Sequence, residues 1–183
     1  MIMLQAKPRE HMNRSALKRL RTGYRLPGII FGAKSDNIMI DLSAKEFQQY
    51  TRTGDSGVLE IELEGKGKIA VLLEDVQRDP VTREYIHVDF LRVNDNEVVR
   101  TKVTVEYTGT ANIAKLGGVI QIQSTLIEIE ALPANIPSLI TVDLSDMNIG
   151  ESLVVGNLDI PAGVSLISSV DEQLVSIIPP KAG

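Results

Sequence analysis

The 183 residues contain two histidines, His11 and His87, and His87 stands two residues before a carboxylate in the run His87-Val88-Asp89-Phe90. In an extended chain the period of two places His87 and Asp89 on one face and Val88 and Phe90 on the other. An imidazole beside a carboxylate is half of a general-base device, but no nucleophile motif and no second histidine accompany it. With Val88 and Phe90 in a core, the polar pair instead faces outward, where it can bond base edges or a ribose 2′-hydroxyl. The plainer alternative is a surface pair with no ligand. Upstream, Gln77-Arg78-Asp79-Pro80 reads as a turn that closes the preceding strand. There Gln77 offers a donor and an acceptor to a base edge, and Arg78 is a phosphate candidate. Ordinary turn chemistry is the competing account.

A second feature is charge. The first twenty-five residues carry Lys7, Arg9, Arg14, Lys18, Arg19, Arg21 and Arg25 against Glu10 alone, in a chain whose net charge is −5. Local charge sets binding to a polyanion, and guanidinium groups suit phosphate. A basic stripe on a short helix is the electrostatic footprint of a nucleic-acid binder, with a merely solvated helix face as the alternative. Residues 1–93 sum to +2 and residues 94–183 to −7. The acidic half repels a polyanion, so binding is expected in the first half.

Other chemistries find little support. There are no cysteines, which excludes a disulfide framework, a thiolate zinc site and a cysteine nucleophile. Gly65-Lys66-Gly67 is too short for a phosphate loop and lacks its Gly-Lys-Ser/Thr ending. Asn13-Arg14-Ser15 matches a glycosylation sequon that has no meaning in a cytosolic protein. The N-terminal residues lack the apolar stretch of a signal peptide, and no run reaches the length of a membrane span. A soluble, cytoplasmic, non-enzymatic protein with no cofactor and no metal is expected.

These residues need elements to hold them. Ser15 followed by residues 16–23 predicts a short helix with a serine cap and a glycine stop, Leu17 and Leu20 inward and Lys18, Arg19 and Arg21 outward. Ser43-Ala44-Lys45-Glu46 is a capping box that starts a second helix, with Phe47 and Tyr50 on one face and an end near Gly54. Residues 27–31, 38–42, 58–63, 68–76 and 85–93 are β-rich runs separated by turn residues. Five or six short strands that close their own edges make a small barrel. Beyond Asn94 the register changes. Val103/Val105/Tyr107, Ile120/Ile122, Ile127/Ile129/Ala131 and Ile140/Val142/Leu144 alternate with polar residues, as half-buried antiparallel strands do. Gly117-Gly118 suits a tight turn, no helix is predicted in this half, and a β-sandwich of its own follows. Residues 179–183 are predicted to be a short extended tail.

Several segments stand in a familiar order: residues 6–10 (Ala-Lys-Pro-Arg-Glu), 15–21 (Ser-Ala-Leu-Lys-Arg-Leu-Arg), 24–32 (Tyr-Arg-Leu-Pro-Gly-Ile-Ile-Phe-Gly), 75–80 (Asp-Val-Gln-Arg-Asp-Pro) and His87-Val88-Asp89-Phe90. Residues 117–121, 131–137 and 142–145 continue the match. The whole resembles the bacterial large-subunit ribosomal protein L-twenty-five family in its longer, general-stress (Ctc) form. The resemblance implies a mainly β protein. A six-stranded barrel with two short helices over 1–93 would bind 5S rRNA, and an antiparallel β-sandwich-like domain would occupy 94–183. It further implies a monomer when free, incorporated in the large ribosomal subunit, with neighbouring ribosomal proteins as partners of the second domain and no membrane. Carried over by position, the RNA-contacting residues would be Arg9, Lys18, Arg19 and Arg21 near the basic helix, Gln77 at the turn, and His87 with Asp89 on the last barrel strand; Arg14 and Arg78 join the expected RNA-binding set on their charge alone. Phe31 stands where the family usually has tyrosine, so it would offer stacking but no hydroxyl. The acidic extension that ends many longer members is missing. The competing function is a protein-interaction module whose active part is the acidic second domain.

Overall fold

Alternating apolar side chains need a second layer to cover them, and in the first half of the chain the sheet supplies that layer by curling onto itself. The computed structural model describes residues 3–32 and 35–180. It divides into two compact units, Met1–Glu97 and Val98–Gly183. In the first unit, β1 (Met3–Pro8), β2 (Arg25–Gly32), β3 (Ser35–Ser43), β4 (Leu59–Leu63), β5 (Gly67–Arg78) and β6 (Tyr85–Arg92) form a closed barrel in the order β1-β3-β2-β6-β5-β4. The strand over Met3–Pro8 is absent from the five β-rich runs read from the residues. It is recruited by pairing, antiparallel to β3 and parallel to β4.

Inward residues of every strand meet in one core that includes Leu4, Leu26, Ile30, Ile40, Ile61, Val71, Val88 and Phe90. Gly28 faces that interior at the closest approach of β2 to β6. A Cβ there would lie 2.7 Å from the Val88 carbonyl oxygen, so only glycine lets the two strands pair. The helix α2 (Ala44–Arg52) starts at Ser43, whose Oγ accepts from the Glu46 amide at 3.3 Å, as the capping box predicts. It buries Phe47 and Tyr50 in the barrel core. Phe47 meets Tyr85 edge-on at 5.0 Å and Phe90 at 6.3 Å.

The first helix, α1 (Arg14–Thr22), is capped two residues before the expected position. Asn13, not Ser15, caps it: Asn13 Oδ1 accepts from the Ala16 amide at 2.9 Å, and Ser15 Oγ donates to the same oxygen at 3.1 Å. Asparagine caps at least as well as serine, so the cap at Asn13 lets the helix start two residues earlier. No residue of α1 is fully buried; Leu17 and Leu20 are half-buried, and the helix packs against β2. The helix stops at Gly23, as expected. Gly23 has an ordinary φ of −82°, and the left-handed residue is Tyr24, with φ +58°.

The second unit holds β7 (Val99–Thr108), α3 (Thr110–Lys115), β8 (Val119–Ile122), β9 (Leu126–Ala131), β10 (Ile140–Asp143), β11 (Ser152–Val154), β12 (Val164–Leu166) and β13 (Gln173–Ile178). They form two sheets, β10-β7-β9-β12 and β11-β13-β8. Ile113, Leu144, Val175 and Ile177 pack together with Tyr107, Ile120 and Val142, a core that draws on both sheets. Two expectations fail here. Strand β10 pairs with β7 in parallel, because the connection between them passes through the other sheet partners instead of a hairpin. The helix α3 exists although its six residues, Thr-Ala-Asn-Ile-Ala-Lys, are too few to hold a helix without tertiary packing. Burial of Ile113 holds it, and Gly117 at φ +77° ends it. Of the predicted tail, residues 181–183 lie outside the described residues.

Candidate nucleic-acid interface

The strand β6 alternates as its sequence requires: Val88 and Phe90 are buried, while His87 and Asp89 face out of the barrel with side chains 28% and 32% exposed. His87 Nδ1 lies 2.8 Å from Asp89 Oδ1. That contact is a hydrogen bond with a neutral imidazole and an ion pair with a protonated one. It fixes the ring and leaves Nε2 and the second carboxylate oxygen without a hydrogen-bond partner among the described residues.

Pairing across the sheet decides what surrounds this pair. Gln77 stands opposite His87 and Asp75 opposite Asp89 on β5. Gln77 and Arg78 therefore belong to a strand, not to the turn expected for them. The turn begins at Asp79, whose Oδ1 accepts from the amides of Val81 at 2.8 Å and Thr82 at 2.9 Å. These two bonds, that to Thr82 foremost, hold the Asp79 carboxyl below its ordinary value. On the other side, β2 runs parallel to β6 with Ile29 beside Asp89 and Phe31 beside Leu91. Because Gly28 and Ile30 point inward, Phe31 lies on the outer face, half-buried, together with Ile29. The outer surface of β2, β6 and β5 thus brings together an aromatic ring, a carboxylate, an imidazole and an amide.

The cations divide into two kinds. On α1, Arg14, Lys18 and Arg19 are exposed and Arg21 is half-buried, and none has an acidic partner among the described residues. Arg9 and Arg78 are engaged within the protein. Arg9 Nε donates to the Ile40 carbonyl at 2.8 Å, and its Nη1 approaches Met39 Sδ at 3.9 Å. Burial pulls the Arg9 guanidinium below its ordinary pKa, and the nearby Asp41 charge opposes that shift. Arg78 stacks over the Tyr85 ring at 4.5 Å and donates from Nη2 to Tyr85 Oη at 2.9 Å. Tyr85 Oη in turn lies 2.6 Å from Thr51 Oγ1. Arg78 is thereby aimed by the protein, whereas the α1 cations are free to follow a ligand.

Charge and polar pattern together suit a phosphate backbone beside exposed base edges. Among the described residues no group of three or more metal-ligating side chains gathers. Among the described residues no hydroxyl nucleophile is bonded to His87. Residue reading missed Ile29 and Asp75 as neighbours of the pair, because parallel pairing of β2 with β6 leaves no local signal.

Comparison with known proteins bears on both units. Residues 4–90 match the model of the Ribosomal L25p family, and residues 98–181 match that of the ribosomal protein TL5 C-terminal domain. The large ribosomal subunit protein bL25 of Shouchella clausii is 35% identical over 181 residues, covering 98% of this chain and 83% of the relative. The protein of the same name from Syntrophomonas wolfei is 33% identical over 97% of this chain and 86% of its own length. That from Moorella thermoacetica is 34% identical over 98% and 88%.

Proposed function

The chain belongs to the bL25 family of large ribosomal subunit proteins, and on that footing we propose that its first half is a 5S rRNA-binding module. The protein is a structural component of the large subunit and not an enzyme. It works at the ribosome, in the bacterial cytoplasm, and is a monomer when free.

The observation that carries the RNA reading is the joint surface of β2, β6 and β5. There Phe31, Asp89, His87 and Gln77 stand on adjacent strands in register, on the sheet against which the basic helix packs. Arg14, Lys18, Arg19 and Arg21 set affinity and position by neutralising phosphates. The polar face confers preference, since Asp89 and His87 accept from and donate to base edges or ribose hydroxyls. A carboxylate gains nothing from a phosphate backbone; Asp89 holds the His87 ring through one oxygen and can accept hydrogen bonds from bases or sugars through the other. Arg9 contributes through the half of its guanidinium not used on Ile40, and Arg78 through the outer edge of its stack on Tyr85.

The second half, at −7 with Asn94 as its start, contributes nothing to polyanion binding and meets neighbouring ribosomal proteins instead. Its exposed Leu116, Val119 and Ile178, the last two paired across β8 and β13, favour a protein contact. Titration of 5S rRNA with the full chain at several salt concentrations tests the reading. Log affinity is expected to fall linearly with log salt, with a slope of several units. Salt-independent binding, or equal affinity for any RNA of similar length, contradicts it.

A further inference from the structure

We propose that Tyr24 is a stacking platform for an unpaired RNA base, placed at the end of the basic helix; the inference rests on the reading of the first unit as an RNA binder. Of the seven aromatic side chains in the protein, Tyr24 alone is exposed, at 81%. The other three tyrosine hydroxyls are bonded within the fold, Tyr50 to the Asp55 carbonyl, Tyr85 to Thr51 and Arg78, and Tyr107 to the Ser124 carbonyl. Tyr24 has no side-chain hydrogen bond among the described residues. Its ring therefore adds nothing to the core, and burial does not explain it.

Its backbone makes the position stranger. With φ +58°, Tyr24 occupies the left-handed region that disfavours bulky side chains. A glycine stands immediately before it, yet Gly23 has φ −82°, a conformation open to any residue. A glycine at position 24 would remove the left-handed strain, whereas a side chain at position 23 would set its Cβ 3.3 Å from the Leu20 carbonyl oxygen. Arg83, the other non-glycine residue with positive φ, is polar and closes the turn through its amide bond to the Asp79 carbonyl. No such account covers an exposed tyrosine ring. The Tyr24 backbone closes its own turn in the same way, through its amide hydrogen bond to the Arg21 carbonyl, so it is the exposed ring on a left-handed residue that points to function.

The surroundings identify the ligand class. The Tyr24 amide donates to the Arg21 carbonyl at 2.9 Å, and its carbonyl accepts from the Ala44 amide at 3.0 Å. The backbone is thus pinned on both sides, and the ring projects from a rigid base. Arg19 and Arg21 fill the last turn of α1, and exposed Lys45 follows Ala44. An exposed aromatic side chain at the end of a basic helix is the combination that takes an unstacked base while its phosphates are neutralised. Bases within a duplex are already stacked, so the partner is a looped-out or bulged nucleotide.

The test uses the full chain with transcribed 5S rRNA at fixed salt. Tyr24→Gly is expected to weaken binding about five- to a hundred-fold, the range for one lost base stack. The salt slope should stay unchanged because no phosphate contact is lost. The thermal midpoint should stay level or rise, since glycine relieves the left-handed strain. Tyr24→Phe should bind within about twofold of the original, because the ring face persists. Wild-type affinity in Tyr24→Gly overturns the inference, and so does a loss of binding that tracks a fall in the midpoint. If the unaltered chain shows no salt-sensitive binding to 5S rRNA, the RNA reading of the first unit fails and the platform with it.

Discussion

The two units solve the same problem, covering one apolar sheet face, in opposite ways. The first closes six strands into a ring and leaves no free strand edge. Its interior is filled by its own side chains and by Phe47 and Tyr50 of α2. Its outer face is then available to carry polar groups at fixed spacing, and His87, Asp89 and Gln77 use it. The second lays two sheets together and leaves β10 and β12, β11 and β8 as edges. It is acidic where the first has its basic helix. A closed barrel offers a rigid surface for reading a ligand, whereas an open pair of sheets offers edges and apolar residues to other proteins.

The largest effect expected from this difference is a loss confined to one unit. Phe47→Ala empties the plug of the barrel and should cost about 3–5 kcal/mol of stability in the first unit. Val175→Ala, in the second core, should cost about 2 kcal/mol there. Thermal unfolding with 5S rRNA titration separates them: binding collapses for Phe47→Ala and survives for Val175→Ala. Equal loss of binding in both would mean the units do not divide the work.

Next in size is the polar face. Asp89→Ala should cost about 1–3 kcal/mol of binding to 5S rRNA, while binding to unrelated RNA holds or improves because a negative charge is gone. The fold should persist, as Val88 and Phe90 point the other way. Competition binding with unrelated RNA reads this directly, and an unchanged preference removes Asp89 from the interface.

The cations come third, and the structure splits them. Arg14→Ala, Lys18→Ala and Arg19→Ala should each weaken binding to every RNA and lower the salt slope by about one or less, with no change in stability. Arg9→Ala should in addition lower the unfolding free energy by about 1 kcal/mol, because the Ile40 carbonyl loses its donor. An Arg9→Ala protein as stable as the original would show that this bond contributes nothing.

The smallest effect is in acid, and it falls unequally. Asp79 in the first unit and Asp143 and Glu151 in the second are held below their ordinary values, Asp143 by Ser145 and Glu151 by Asn148. A carboxyl whose folded value is lowered contributes stability above its ordinary value and loses it as pH falls through the folded value. The ordinary values are 3.8 for the aspartates and 4.5 for Glu151. Unfolding midpoints measured from pH 6 downward should therefore hold to about pH 4.5 and then fall, slightly more for the second unit. A midpoint that rises below pH 4 has the wrong sign for these contacts.

How far the sequence discloses this varies from residue to residue. The outward pair His87 and Asp89 is legible because period two is a property of any strand and Val88 and Phe90 declare which face is inside. Ser43 and Glu46 declare α2 through a local bond, and burial of Phe47 and Tyr50 follows. Gln77 and Arg78 mislead, since a polar run before Asp79-Pro80 has turn composition, yet pairing with β6 carries β5 through them. Phe31 and Ile29 cannot be placed beside the site from sequence, because parallel pairing of β2 and β6 joins residues some sixty apart with no local mark. The helix α3 is equally silent, since tertiary burial of Ile113 rather than propensity holds it. Tyr24 beside Gly23 looks like an ordinary helix stop, and only the backbone angles reveal that the strained position went to the tyrosine.

The central claim, that RNA binding resides in the barrel unit, is tested most directly by cutting the chain between Glu97 and Val98 and titrating each half with 5S rRNA. The account predicts that residues 1–97 fold and bind with the affinity and salt dependence of the full chain, and that residues 98–183 fold without binding. A folded 1–97 fragment that leaves 5S rRNA unbound, or a 98–183 fragment that retains the affinity, would contradict it.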